Sequence, residues 1–162
     1  PRDFSTFVSL VNYIRSKGGN RPIGTYIGWV TQEEMTTLTT LVDSIQIHAY
    51  VPNGAKTYSK VKGRLNMIKT AKPTKKVTFY TIFSAEWLPP EICNQGTTNP
   101  DFYNQMCFMG PWLKANGGPA GAETAYNKSE LADRTNTTTW RDYAVQTGFY
   151  HYSYTNLRNA LK

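Results

Sequence analysis

Apolar and polar positions alternate between two rhythms along this chain. Phe4, Phe7, Val8, Val11 and Ile14 recur at the three, four and seven spacing of one helical face, with Asp3 placed to cap it and Gly18-Gly19 to end it. Pro22–Val30 then reads as a strand, with Gly24 and Gly28 leaving room for close packing. Thr31-Gln-Glu-Glu34 is a capping box that opens a helix through Met35, Leu38, Leu41 and Val42. Ser44–Val51 is a second strand, with Ile45, Ile47, Ala49 and Val51 on one face and Gln46, His48 and Tyr50 on the other. After the turn Pro52-Asn-Gly54, Ser59 is the expected cap of a third helix whose apolar stripe is Val61, Leu65, Ile68 and Ala71.

The strongest strand pattern lies within Lys75–Trp87, where Lys76–Ala85 is rich in β-branched and aromatic residues and prolines stand on both sides. Residues Glu86 to Ala122 show no periodicity and are expected to form a long functional or structural loop. Trp87, Phe102, Tyr103, Phe108 and Trp112 argue that it is folded, and Gly117–Gly121 reads as part of it. Glu123–Asn136 is partly helical, Thr139–Asp142 opens a short helix, Gly148–Tyr154 is a fourth strand and Leu157–Lys162 starts a last helix. Strands alternating with helices imply a parallel sheet with right-handed crossovers. The expected fold is a single α/β domain over residues 1–162: four βα units, half of a (βα)8 TIM-type barrel.

At 162 residues one domain is expected, and 40% hydrophobic with 18% charged is an ordinary globular balance. The formal net charge is +7, with Lys56, Lys60, Lys62, Arg64, Lys69, Lys72, Lys75 and Lys76 crowded into the third helix and its exit. This is either a polyanion footprint or the solvated face of a surface helix. No nucleic-acid signature accompanies it, which leaves that role a remote alternative. No apolar run approaches the ~20 residues of a membrane span, and none has the pattern of a signal peptide. The two cysteines, Cys93 and Cys107, are candidates for a disulfide inside the long loop. With two Asn-x-Ser/Thr acceptor patterns, at Asn127 and Asn136, they lean the reading towards an extracytoplasmic or secreted protein.

Chemistry gathers at the carboxyl ends of parallel strands, which singles out Glu86 and Trp87 after the third strand and His48 and Tyr50 near the end of the second. Trp29, Trp87 and Trp112 could stack on sugar rings or simply anchor loops, and Tyr152 faces the same way as Tyr150 by alternation. His151, in mid-strand, is read as structural. Two separated histidines and two loop cysteines give no metal-ligand spacing. No phosphate loop, dinucleotide fingerprint or nucleophile elbow occurs, and no cofactor is expected.

Ser44–Tyr50 resembles the sixth-strand pattern of the family 18 chitinase-like glycoside hydrolases. Lys76–Ala85 is similar to their seventh strand, and Gly148–Tyr154 looks like their aromatic eighth. The resemblance implies the carboxyl-terminal half of a glycosidase barrel acting on a polysaccharide or oligosaccharide. Other barrel glycosidases place a nucleophilic glutamate after the seventh strand, where Glu86 falls, so Glu86 would be a catalytic carboxylate or a substrate hydrogen-bonder, with His48, Tyr50, Trp29, Trp87 and Tyr152 binding substrate. The departures are specific. Val51 stands where that family has Asp or Asn, Tyr replaces the eighth-strand Trp, and the acidic fourth-strand motif has no counterpart. Most glycoside hydrolysis uses two carboxylates about 5 to 9 Å apart, and Glu86 is the one convincing candidate. The alternative is a non-catalytic carbohydrate-binding or scaffolding domain of the same architecture. Open sheet edges further predict a homodimer or a missing amino-terminal half-barrel.

Overall fold

The computed structural model describes residues 3–18, 21–51, 54–84, 107, 109–134 and 139–152. The first helix, α1, spans Phe4–Gly18. Asp3 caps it: its carboxylate accepts from the Thr6 amide at 3.0 Å and from the Ser5 hydroxyl at 2.8 Å. Those bonds, that of the Thr6 hydroxyl foremost, lower its pKa to about 2. Strand β1 (Gly24–Ile27) follows, then α2 (Gln32–Leu41), β2 (Ser44–His48), α3 (Gly54–Ala71) and β3 (Val77–Ser84). The capping box forms as the sequence predicts. Glu34 donates its amide to the Thr31 hydroxyl at 3.2 Å, and its carboxylate accepts from the Thr31 amide at 2.7 Å. Beyond the long segment come α4 (Met109–Ala115), α5 (Gly118–Asp133), a 3₁₀ turn at Trp140–Asp142 and β4 (Ala144–Tyr152).

All strand pairs are parallel and their order is β1-β2-β3-β4. Each right-handed crossover therefore moves the chain in the same direction, which puts the helices on one face. Ile45, Ile47, Phe79 and Phe83 point into that layer and meet Met35, Leu38, Val61, Leu65, Ile68, Met109, Leu113 and Tyr126 in one buried core. Gln46, Tyr80 and Tyr150 take the opposite face, where the Tyr80 and Tyr150 rings lie 4.8 Å apart. The last strand joins with a bulge: Phe79 pairs with Gln146 and Tyr80 with Gly148, so Thr147 is the extra residue.

Several boundaries differ from the sequence pattern. Helix α3 begins at Gly54, so Ser59 lies inside the helix rather than capping it. Residues 109–122, expected to be irregular, hold α4 and the first turn of α5. Glycine hid them: Gly117 (φ 83°) and Gly118 (φ 71°) make the left-handed joint between the two helices, and Pro119 sits in the first turn, where its missing N–H costs nothing. Gly121 is required there, because a Cβ would fall 1.5 Å from the Asn116 carbonyl oxygen. Strand β4 starts at Ala144, four residues before the predicted Gly148. Leu157–Lys162 lies outside the described residues.

A polar clamp fastens the amino-terminal end of β4. The Tyr58 hydroxyl donates to Asp133 at 2.7 Å and accepts from the indole N–H of Trp140 at 3.1 Å; Lys62 reaches the same carboxylate. Glu130 accepts from Arg134 and Arg141, and the Arg141 guanidinium lies 4.6 Å over the Trp140 ring. Lys76 donates to the Arg141 carbonyl and Arg64 to the Gly28 carbonyl. Three members of the basic run thus stitch the fold rather than form a free polyanion surface. No helix among the described residues is long and apolar enough to cross a membrane.

Candidate functional site

Two adjacent strands and one turn build an aromatic cluster at the carboxyl-terminal end of the sheet. His48 closes β2 and is buried, 6% exposed. Alternation carries it and Tyr50 to the face away from the helices, where their rings stack with centroids 5.2 Å apart. Tyr26 of β1 pairs in register with Gln46, so it shares that face, and its hydroxyl lies 3.2 Å from Nδ1 of His48. Trp29, in the turn between β1 and α2, brings its ring to 6.0 Å from the imidazole. Burial divides these four residues sharply. Tyr50 is 9% exposed, whereas Tyr26 and Trp29 are 48% and 65% exposed. The result is a buried, polar imidazole walled on one side by a tyrosine and flanked outside by two open aromatic faces.

Of the residues expected to form a site, the structure therefore brings together Trp29, His48 and Tyr50. Glu86, Trp87 and Cys93 lie outside the described residues, as does the side chain of Tyr152, whose backbone pairs with Ser84. Cys107 is buried and disulfide-bonded. Trp112 packs, partly buried, against the core. His151 points into the helical layer, stacks on Phe83 at 5.4 Å and meets Glu123 with Nε2 at 2.8 Å, a structural place as its mid-strand position suggests. Sequence reasoning missed Tyr26. Alternation in the first strand sets it on the side opposite Ile27, but only the register with β2 puts it beside the Gln46–His48 row.

Chemically, the cluster can stack on the apolar face of a ring and exchange a hydrogen bond with its rim. The four side chains include no carboxylate. Elsewhere Asp3, Glu34, Asp43, Glu130 and Asp133 serve in caps and ion pairs. Among the described residues no group of three or more His, Cys, Asp or Glu could hold a metal ion. Comparison with family models, curated proteins and solved structures gives no match. The likeness to the family 18 chitinase-like hydrolases thus rests on strand motifs alone.

Proposed function

We propose that this chain is a carbohydrate-binding α/β module, extracytoplasmic, whose sheet is one half of a (βα)8-type barrel. The observation that carries the reading is the pairing of two exposed aromatic faces, Trp29 and Tyr26, with the buried His48 between them. A pyranose ring has apolar C–H faces, and the exposed rings of Trp29 and Tyr26 offer flat surfaces on which such a face can stack. Binding is favoured over hydrolysis because cleavage needs paired carboxylates and the cluster contributes none. A glycosidase would have to draw on Glu86 and on a second acid.

Calorimetric titration with a panel of neutral oligosaccharides tests this. Trp29→Ala should weaken the best binder roughly tenfold, since one aromatic contact contributes up to about 1.4 kcal/mol. Because Trp29 is exposed, the ligand-free melting temperature should hold. No binding by the wild-type chain to any member would discard the reading. Turnover that appears in the wild type and vanishes in Glu86→Gln, with binding kept, would restore the hydrolase.

A further inference from the structure

The exposed apolar side chains are not scattered. Among the described residues eight large ones are more than a third exposed: Leu10, Tyr13 and Ile14 on α1, Tyr26 and Trp29 on and after β1, Val145 and Tyr150 on β4, and Leu131 on α5. Strands β1 and β4 are the two edges of the sheet, and α1 and α5 are the helices that lead into them. Both open ends of the layer are therefore apolar, while the interior of the helical layer is closed. Only Val11 of α1 is buried, and a groove of about 410 Å³ separates that helix from β1, lined by Phe4, Phe7, Tyr26, Ile27, Trp29 and Leu38. In a right-handed βα repeat, a helix leading into β1 covers the seam between β1 and the strand beyond it. Here α1 overhangs an edge that, among the described residues, pairs with no further strand.

We infer that two copies of this chain close on each other, with β4 of each pairing in parallel against β1 of the other and α1 lying across the seam. A two-fold axis makes this self-complementary: the β1 edge meets β4 of the partner copy, and the β4 edge meets its β1. Eight strands is also the number at which side chains fill a barrel interior. At about 200 Å² per fully exposed aromatic side chain and less per aliphatic one, the six of these residues outside the Tyr26–Trp29 cluster offer on the order of 500 Å² per copy, and pairing of the two strand edges adds backbone area towards the roughly 800 Å² a stable interface buries on each partner. Closure places the Tyr80–Tyr150 face of one copy beside the Tyr26–His48 cluster of the other across each seam, so both copies line one mouth. The inference does not depend on what that mouth binds.

Light scattering coupled to size exclusion, on the intact oxidised chain, decides it. The expected particle has twice the 18.3 kDa of the chain. Leu10→Lys with Ile14→Lys, and separately Val145→Lys, alter exposed positions and should return a folded monomer with unchanged far-ultraviolet dichroism. A wild-type monomer overturns the proposal. So does a dimer indifferent to both variants, or a ladder of higher oligomers, which would mean that the edges pair without closing.

Discussion

Two buried tyrosines differ in one respect, and removing a single oxygen from each should have opposite consequences. Tyr58 and Tyr126 are 4% and 0% exposed, and their rings meet edge to face at 5.4 Å. The Tyr58 hydroxyl joins Asp133 to the buried indole of Trp140. The Tyr126 hydroxyl has no hydrogen-bond partner; Thr81 stands near it, outside hydrogen-bond geometry. Tyr58→Phe therefore removes a bond to a carboxylate and orphans a buried indole donor. Each loss costs about 1–3 kcal/mol, partly offset because Asp133 keeps Lys62, so the net is about 3 kcal/mol. Tyr126→Phe removes only an unsatisfied polar atom and should leave stability within about 1 kcal/mol of wild type, or raise it. Urea unfolding at fixed chain concentration measures both; with a slope of about 2 kcal/mol/M, the first variant should lose roughly 1.5 M in midpoint and the second almost nothing. There is a pH signature as well. Burial, then the bond to Asp133, pushes Tyr58 up to about 12 from 10.0. Its contribution is complete below about pH 10 and is lost as pH rises through about 12, so Tyr58→Phe should flatten the alkaline limb of wild-type stability. Equal losses in the two variants, or a larger loss for Tyr126→Phe, would refute the assignment of the clamp.

Two further outcomes follow from local geometry. Asp3 has a folded pKa of about 2 against 3.8, so its charge stabilises α1 above about pH 4, and that contribution fades as pH falls towards 2; the melting-temperature gap between wild type and Asp3→Asn should shrink along the same interval, and a gap independent of pH would contradict it. Gly121→Ala forces a Cβ onto the Asn116 carbonyl oxygen and should cost about 1–3 kcal/mol by displacing α4 against α5, whereas an unchanged urea midpoint would show that the joint has slack.

The elements with a single rhythm were legible. α1 ends at Gly18 and the capping box opens α2 where Thr31 and Glu34 place it, because those signals are local and nothing tertiary competes with them. β2 reads cleanly too, since Ile45 and Ile47 are buried and alternate with the less buried Ser44 and Gln46, and its alternation of side chains is why His48 and Tyr50 could be set on one face in advance. The failures have physical causes. α4 and the first turn of α5 were hidden because the glycines between them mark a left-handed helix joint, which shares its composition with a loop. The start of β4 was missed because a bulge at Thr147 breaks its alternation. Tyr26 joined the site only through its register with β2, a relation that one strand's pattern does not contain. The clamp on Asp133 and Glu130 was equally invisible, as it links residues far apart in the chain.

The parallel pairing of β3 with β4 sets an order in time. Val77 meets Ala144, so this edge of the sheet can form only after the whole intervening segment has been made. Loop closure over that span costs only slightly more than over a shorter one, but pairing between residues so distant slows folding. β1, β2 and β3 with α2 and α3 have shorter connections and can assemble first. At about 5–20 residues per second on the ribosome, Phe79 and Phe83 would wait several seconds beside an unpaired strand before Tyr126 and Trp140 arrive to cover them. For this chain that interval, rather than the finished domain, is the point at which a chaperone has something to hold.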